Sequence, residues 1–157
     1  MIQKVEFRNG KKQKLYGYVS VPKKYNTAVV FLHGFPSSVD GSSSKWMMKA
    51  FSKSDYLFMT FDFSCGRVSE GNFSDKLMSQ EVKDIKCAID FLEKLYGFEK
   101  LFLIGHSTGA IDAALYSCKD KRLSGVVLSG GVADLKRAVR YDFNSREVHS
   151  FWTKGYV

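Results

Sequence analysis

Proline is nearly absent from this sequence, with 2 residues in 157, and cysteine is scarce, with 3. Cys65, Cys87 and Cys118 are odd in number and widely spaced. They form no CxxC pair and no metal-ligand cluster, which excludes a disulfide scaffold and a thiolate metal module and leaves reduced, structural thiols. Long hydrophobic runs are missing as well: the longest, Thr27 to Leu32, falls far short of the ~18 apolar residues of a membrane span. Met1 to Arg8 has no apolar stretch behind a basic one, so no secretory signal is visible and a cytoplasmic protein is expected. Acidic side chains are the minority, and 16 Asp and Glu against 24 Lys and Arg leave a net charge of +8. The basic excess is scattered (Lys11-Lys12, Lys23-Lys24, Lys119 with Lys121-Arg122, Lys136-Arg137) rather than striped with aromatics. No nucleic-acid partner is expected from that pattern. What remains is an ordinary globular composition, 45% hydrophobic and 25% charged. The length suits one domain on a scale of about 150 residues, which buries roughly 70% of its unfolded surface.

Hydrophobic periodicity divides the chain into alternating strands and helices. Val5 and Phe7, then Leu15 to Val21, read as two strands joined by a turn at Gly10. Ala28 to Leu32 is a continuous apolar run of the kind a parallel sheet covers on both faces. Tyr56–Phe61, Leu101–Ile104 and Val126–Leu128 repeat it. Between them fall three helices. Lys45–Phe51 is short, with N-cap candidates in Ser42-Ser43-Ser44. In Ser79–Leu95, Val82, Ile85, Ile89, Leu92 and Leu95 line one face, Glu81, Lys83, Lys86, Asp90 and Glu93 the other, and Gly97 stops the helix. Ser107–Tyr116 is rich in alanine. The order β-β-β-α-β-α-β-α-β predicts an α/β fold, mostly parallel behind an N-terminal antiparallel hairpin, with helices on both faces.

Gly105-His106-Ser107-Thr108-Gly109 matches G-x-S-x-G, with a strand running in and a helix running out. That context is what the motif needs: a sharp turn lifts the Ser107 hydroxyl off the sheet, and glycines on either side let backbone approach closely. The helix N-terminus behind it favours developing negative charge. His33-Gly34-Phe35-Pro36 closes the Ala28–Leu32 strand. Together the two segments resemble the α/β-hydrolase family, in which an H-G-x loop follows the third strand. The resemblance implies an oxyanion hole made by the backbone amides of Phe35 and Thr108, with the His33 side chain orienting the loop. Phe61 to Gly71 is similar to the D-x-x-G-x-G-x-S-x-G stretch after the family's fourth strand, with a departure at Val68 and a structural role for Asp62. The likeness extends from about Leu15 to Leu135. Leu15-Tyr16-Gly17-Tyr18 and Val21-Pro22 are similar to the cinnamoyl/feruloyl esterase and monoacylglycerol-lipase branch.

A serine hydrolase also needs a base and an orienting acid, which this family places after later strands. Only Ser129 to Val157 follows the last predicted strand, so the reading is a three-layer α/β-hydrolase sheet that is C-terminally truncated. Residues 1–133 would be the core and 134–157 the start of a cap, lid or extension. His106 should point away from the nucleophile. His149 is the sole histidine after Ser107 and the candidate base, with Asp134 or Asp142 as partner. Its neighbours Arg146 to Trp152 also read as a lid segment, in which His149 is an ordinary surface residue. Asp112 and Asp120 read as solvated surface. The expected activity is hydrolysis of small-molecule carboxylic esters through an acyl-enzyme on Ser107, without metal or cofactor. The alternative is a catalytically incomplete remnant serving as a binding or assembly module. An open last strand beside Phe143, Phe151, Trp152 and Tyr156 predicts self-association as a homodimer.

Overall fold

The computed structural model describes residues 1–134, 137, 140, 141 and 144–154, without the Phe151 side chain; Asp142, Phe143 and Tyr156 lie outside the described residues. Six strands form one sheet: β1 (Ile2–Arg8), β2 (Lys14–Ser20), β3 (Thr27–Leu32), β4 (Leu57–Phe61), β5 (Lys100–His106) and β6 (Leu123–Ser129). Their order is β1-β2-β4-β3-β5-β6. β1 and β2 pair antiparallel, and β2 joins β4 antiparallel; from β4 to β6 every pairing is parallel. The helices are α1 (Ser42–Phe51), α2 (Met78–Tyr96), α3 (Thr108–Ser117) and α4 (Ser145–Lys154).

Strand alternation assigns each side chain of β3 to a face. Val29 and Phe31 pack with Phe58 and with Met48 of α1. Val30 and Leu32 belong to the larger core under α2 and α3, with Leu57, Met59, Leu101, Leu103, Ile85 and Ile89. β3 and β4 are therefore buried on both sides, which is why they read as unbroken apolar runs, whereas β6, at the end of the strand order, leaves Val127 and Leu128 exposed although its sequence repeats the same pattern. The expected stop of α2 at Gly97 holds: Gly97 has φ +67 and donates its N–H to the Glu93 carbonyl at 3.0 Å.

Three local expectations are corrected. The N-cap of α1 is Gly41, and the serines after it are inside the helix; the Ser44 hydroxyl donates to the Ser38 carbonyl instead. In α2, Leu95 is exposed, because Tyr96, a full turn on from Leu92, takes the place against the core. Glu81 is buried rather than on the solvent face. It lies on the Glu81-Ile85-Ile89 row, and Lys76 ion-pairs with it there.

Candidate active site

β5 delivers Ser107 at the sheet's carboxyl end, and α3 begins one residue later. Ser107 has φ +56 and ψ −122. For a residue with a Cβ that conformation costs of order 1–3 kcal/mol, which the surroundings must enforce. The Ser107 amide donates to Ser129 at the end of β6 (2.9 Å), and its carbonyl accepts from Ala110 (3.0 Å). Close approach does the rest. A Cβ on Gly105 would lie 2.3 Å from the Gly109 carbonyl oxygen, and one on Gly109 would lie 2.3 Å from that of Leu32. Both motif glycines are therefore required by contact. Gly34 backs directly onto the serine, since a Cβ there would come within 2.6 Å of Ser107 Cβ. The sequence motifs at 33–35 and 105–109 thus meet in space.

Thr108, first residue of α3, carries an amide outside the helix's own hydrogen-bond ladder. The Phe35 amide donates to the Thr108 hydroxyl at 2.8 Å. A carbonyl oxygen arriving between the two amides must compete with that hydroxyl, a contact that sequence reading missed. The Phe35–Pro36 peptide is cis. His106 lines a different cleft, with Phe31, Trp46 and Met47 on the α1 side.

Asp62 organises the loop behind the site. Its Oδ2 accepts the amides of Val68 (2.8 Å) and Ser69 (2.9 Å), and its Oδ1 accepts that of Val39 (3.3 Å). His33 Nε2 stands 3.3 Å from Oδ1, and the His33 ring lies edge-on to Phe63. Burial pushes the Asp62 carboxyl up, but His33 and the Ser69 and Val68 amides outweigh it and hold it below the usual carboxylate range. Asp62 thus gathers three loop amides, with His33 packed beside it. The departure from the loop pattern needs correcting. Counting from Asp62, the pattern's glycines fall at 65, 67 and 71, so the changed positions are Cys65 and Arg67. Cys65 has φ +59, the left-handed conformation that glycine would take without strain.

Beside Thr108 opens a pocket of about 240 Å³, lined by Phe35, Arg67, Phe73, Lys76 and Glu81. Asp112 is not surface: it is 1% exposed, and neither carboxylate oxygen has a hydrogen-bond partner among the described residues. Burial, and then Glu81, push its carboxyl up to about 8 despite Lys76. The signal was available, because Gly109, Asp112, Ala113 and Tyr116 share one buried face of α3. Asp120 is not free surface either. It takes the Arg122 guanidinium and the Tyr116 hydroxyl, which hold its carboxyl well below its ordinary value.

The candidate base and acid both lie on the chain after β6. Asp134 follows β6 and accepts the Arg137 amide at 3.2 Å. His149 is exposed on α4, and its ring makes no hydrogen bond with Ser107. The Ser107 hydroxyl likewise has no hydrogen-bond partner among the described residues.

The fold recurs in solved structures. An esterase of Pyrococcus furiosus superposes with a TM-score of 0.83 at 21% identity, over 99% of this chain and 62% of its own. Est1E of Butyrivibrio proteoclasticus, solved with ferulic acid bound, gives 0.77 at 17%, over 89% and 57%. The α/β-hydrolase GrgF of a Penicillium species gives 0.75 at 18%, over 99% and 56%. The chain thus spans about six tenths of the proteins it matches. Residues 23–154 match the family model described as serine aminopeptidase, S33. With that match covering most of the sequence and the mixed sheet in place, the chain belongs to that family of α/β-hydrolases.

Proposed function

We propose that this chain carries the nucleophile and oxyanion half of a serine hydrolase that cleaves carboxylic esters of small or medium acyl groups. Ser107 Oγ attacks the ester carbonyl and loses its proton to a base. The carbonyl oxygen, now negative, is held by the Phe35 and Thr108 amides; the tetrahedral intermediate then expels the alcohol, and water releases the acid. The observation that carries this reading is the Ser107 backbone, held at φ +56 against Gly34 at the head of α3. His149, with Asp134, is the candidate base within the chain.

A fluorophosphonate probe tests the reading. Stoichiometric labelling of the folded chain, lost in Ser107→Ala, is the expected result. Absence of labelling in folded protein would favour the rival, a catalytically incomplete module. Parallel assays with nitrophenyl esters and an amino-acid nitroanilide separate ester from amide cleavage.

The open edge suggests how the chain associates. Among the described residues no strand pairs with the outer side of β6, and Val127 and Leu128 there are each 53% exposed. A second copy pairing along that edge would satisfy its backbone groups and cover both side chains. Light scattering at micromolar concentration should therefore give twice the 17.8 kDa of one chain. Val127→Lys should return it to one. A monodisperse wild-type monomer would overturn the pairing.

A further inference from the structure

Arg67 stands where the loop pattern has glycine, and its placement asks for a ligand. Both flanks of the residue are pinned. Gly66 donates to the Phe63 carbonyl at 3.2 Å, and the Val68 and Ser69 amides are held by Asp62. Arg67 lines the same pocket as Thr108 and Phe35, the residues whose amides are the oxyanion donors of the reading above. The second cation there, Lys76, is already engaged, ion-paired with Glu81 and lying 5.6 Å over the Phe63 ring. Arg67 has no hydrogen bond or ion pair among the described residues. Besides the polar His33, Ser37 and Thr108, the lining presents two aromatic rings: Phe35 and Phe73, with ring centroids 5.8 Å apart, are 50% and 61% exposed.

An exposed, planar, charged donor on a pinned loop, lining one pocket with two exposed aromatic rings, suits one kind of occupant. That is a small apolar or aryl group ending in a carboxylate, which the guanidinium can grip with two parallel hydrogen bonds. The volume of about 240 Å³ is below the roughly 300–1,000 Å³ of pockets for drug-sized ligands, which limits the occupant to about one ring with a short arm. Resting on the ester-hydrolase reading above, we propose that Arg67 is a specificity residue and that the pocket selects esters bearing an anionic group on the part seated against Phe35 and Phe73. It forms no bond with the reacting atoms; it reads charge at the far end of the substrate.

Binding separates this proposal from the catalytic one. In the Ser107→Ala chain, which cannot turn over, ligand-observed NMR titration compares two pairs: monomethyl terephthalate against methyl benzoate, and 4-acetoxybenzoate against phenyl acetate. At least one anionic member should bind about fivefold more tightly than its neutral partner, and Arg67→Ala should erase the difference while leaving the neutral ligand unchanged. Arg67→Lys should retain part of it. Equal binding within both pairs, or a preference that survives Arg67→Ala, overturns the proposal whether or not the chain hydrolyses esters. Hydrolysis assays with Ser107 intact, run alongside, report on the catalytic reading alone.

Discussion

Asp112→Asn should stabilise this fold, by a margin that grows as the pH rises from about 5 to 8 and is constant above that. The native carboxyl is buried without a hydrogen-bond partner among the described residues, and burial together with Glu81 raises it to about 8. In the unfolded chain it titrates near 3.9. Between those values the folded state holds a proton that the unfolded state has released. Stability from this group is therefore fully present below about pH 4 and lost as the pH climbs to about 8, at about 1.4 kcal/mol per unit. Asparagine keeps the shape and has no proton to hold. At pH 7 the variant should gain several kcal/mol relative to wild type, against a typical total stability of only 5–15 kcal/mol. Urea unfolding of both proteins at one-unit steps from pH 5 to 9 checks it. Parallel curves would show that Asp112 is ionised in the fold and has found a partner.

Asp62→Ala should do the reverse, costing about 3–5 kcal/mol, as removal of one partner from a buried charged network does. The three amides of Val39, Val68 and Ser69 would lose their acceptor, and His33 would lose the carboxylate at 3.3 Å. Asp62→Asn rescues little, because the amide NH2 would confront an N–H donor at one of the two oxygen positions. The sign of the pH dependence is opposite to that of Asp112. The Asp62 carboxyl is held below its ordinary value, so its contribution is present above about pH 4 and lost as the pH falls through the folded pKa. Chemical denaturation at pH 7 should show a lower midpoint with an unchanged slope, and amide exchange should accelerate between residues 62 and 71. A loss below about 1 kcal/mol would mean that the loop is held by other contacts.

Much of this architecture is legible along the chain, since strand and helix periods and turn chemistry are local properties. Ala28–Leu32 reads as a doubly covered strand because each of its residues is apolar, and Gly105 to Gly109 reads as a nucleophile turn because strand, glycines and helix are contiguous. Even Asp112 carries a local signal, its spacing from Gly109, Ala113 and Tyr116, although an aspartate in that stripe reads as surface until α2 is laid across it. The remainder depends on segments distant in sequence. Nothing near Phe35 indicates that its amide is occupied by the hydroxyl of Thr108, 73 residues on. Nothing near Glu81 indicates that the inner row of α2 passes beside Lys76 and shares a pocket with the loop at His33 to Ser37. Arg67 looks like one scattered cation among 24 Lys and Arg. It becomes a distinct feature only when β3, the Asp62 loop and α3 converge at the sheet's carboxyl edge, because charge and hydrogen-bond pairing are settled by three-dimensional proximity and desolvation, which sequence spacing does not encode.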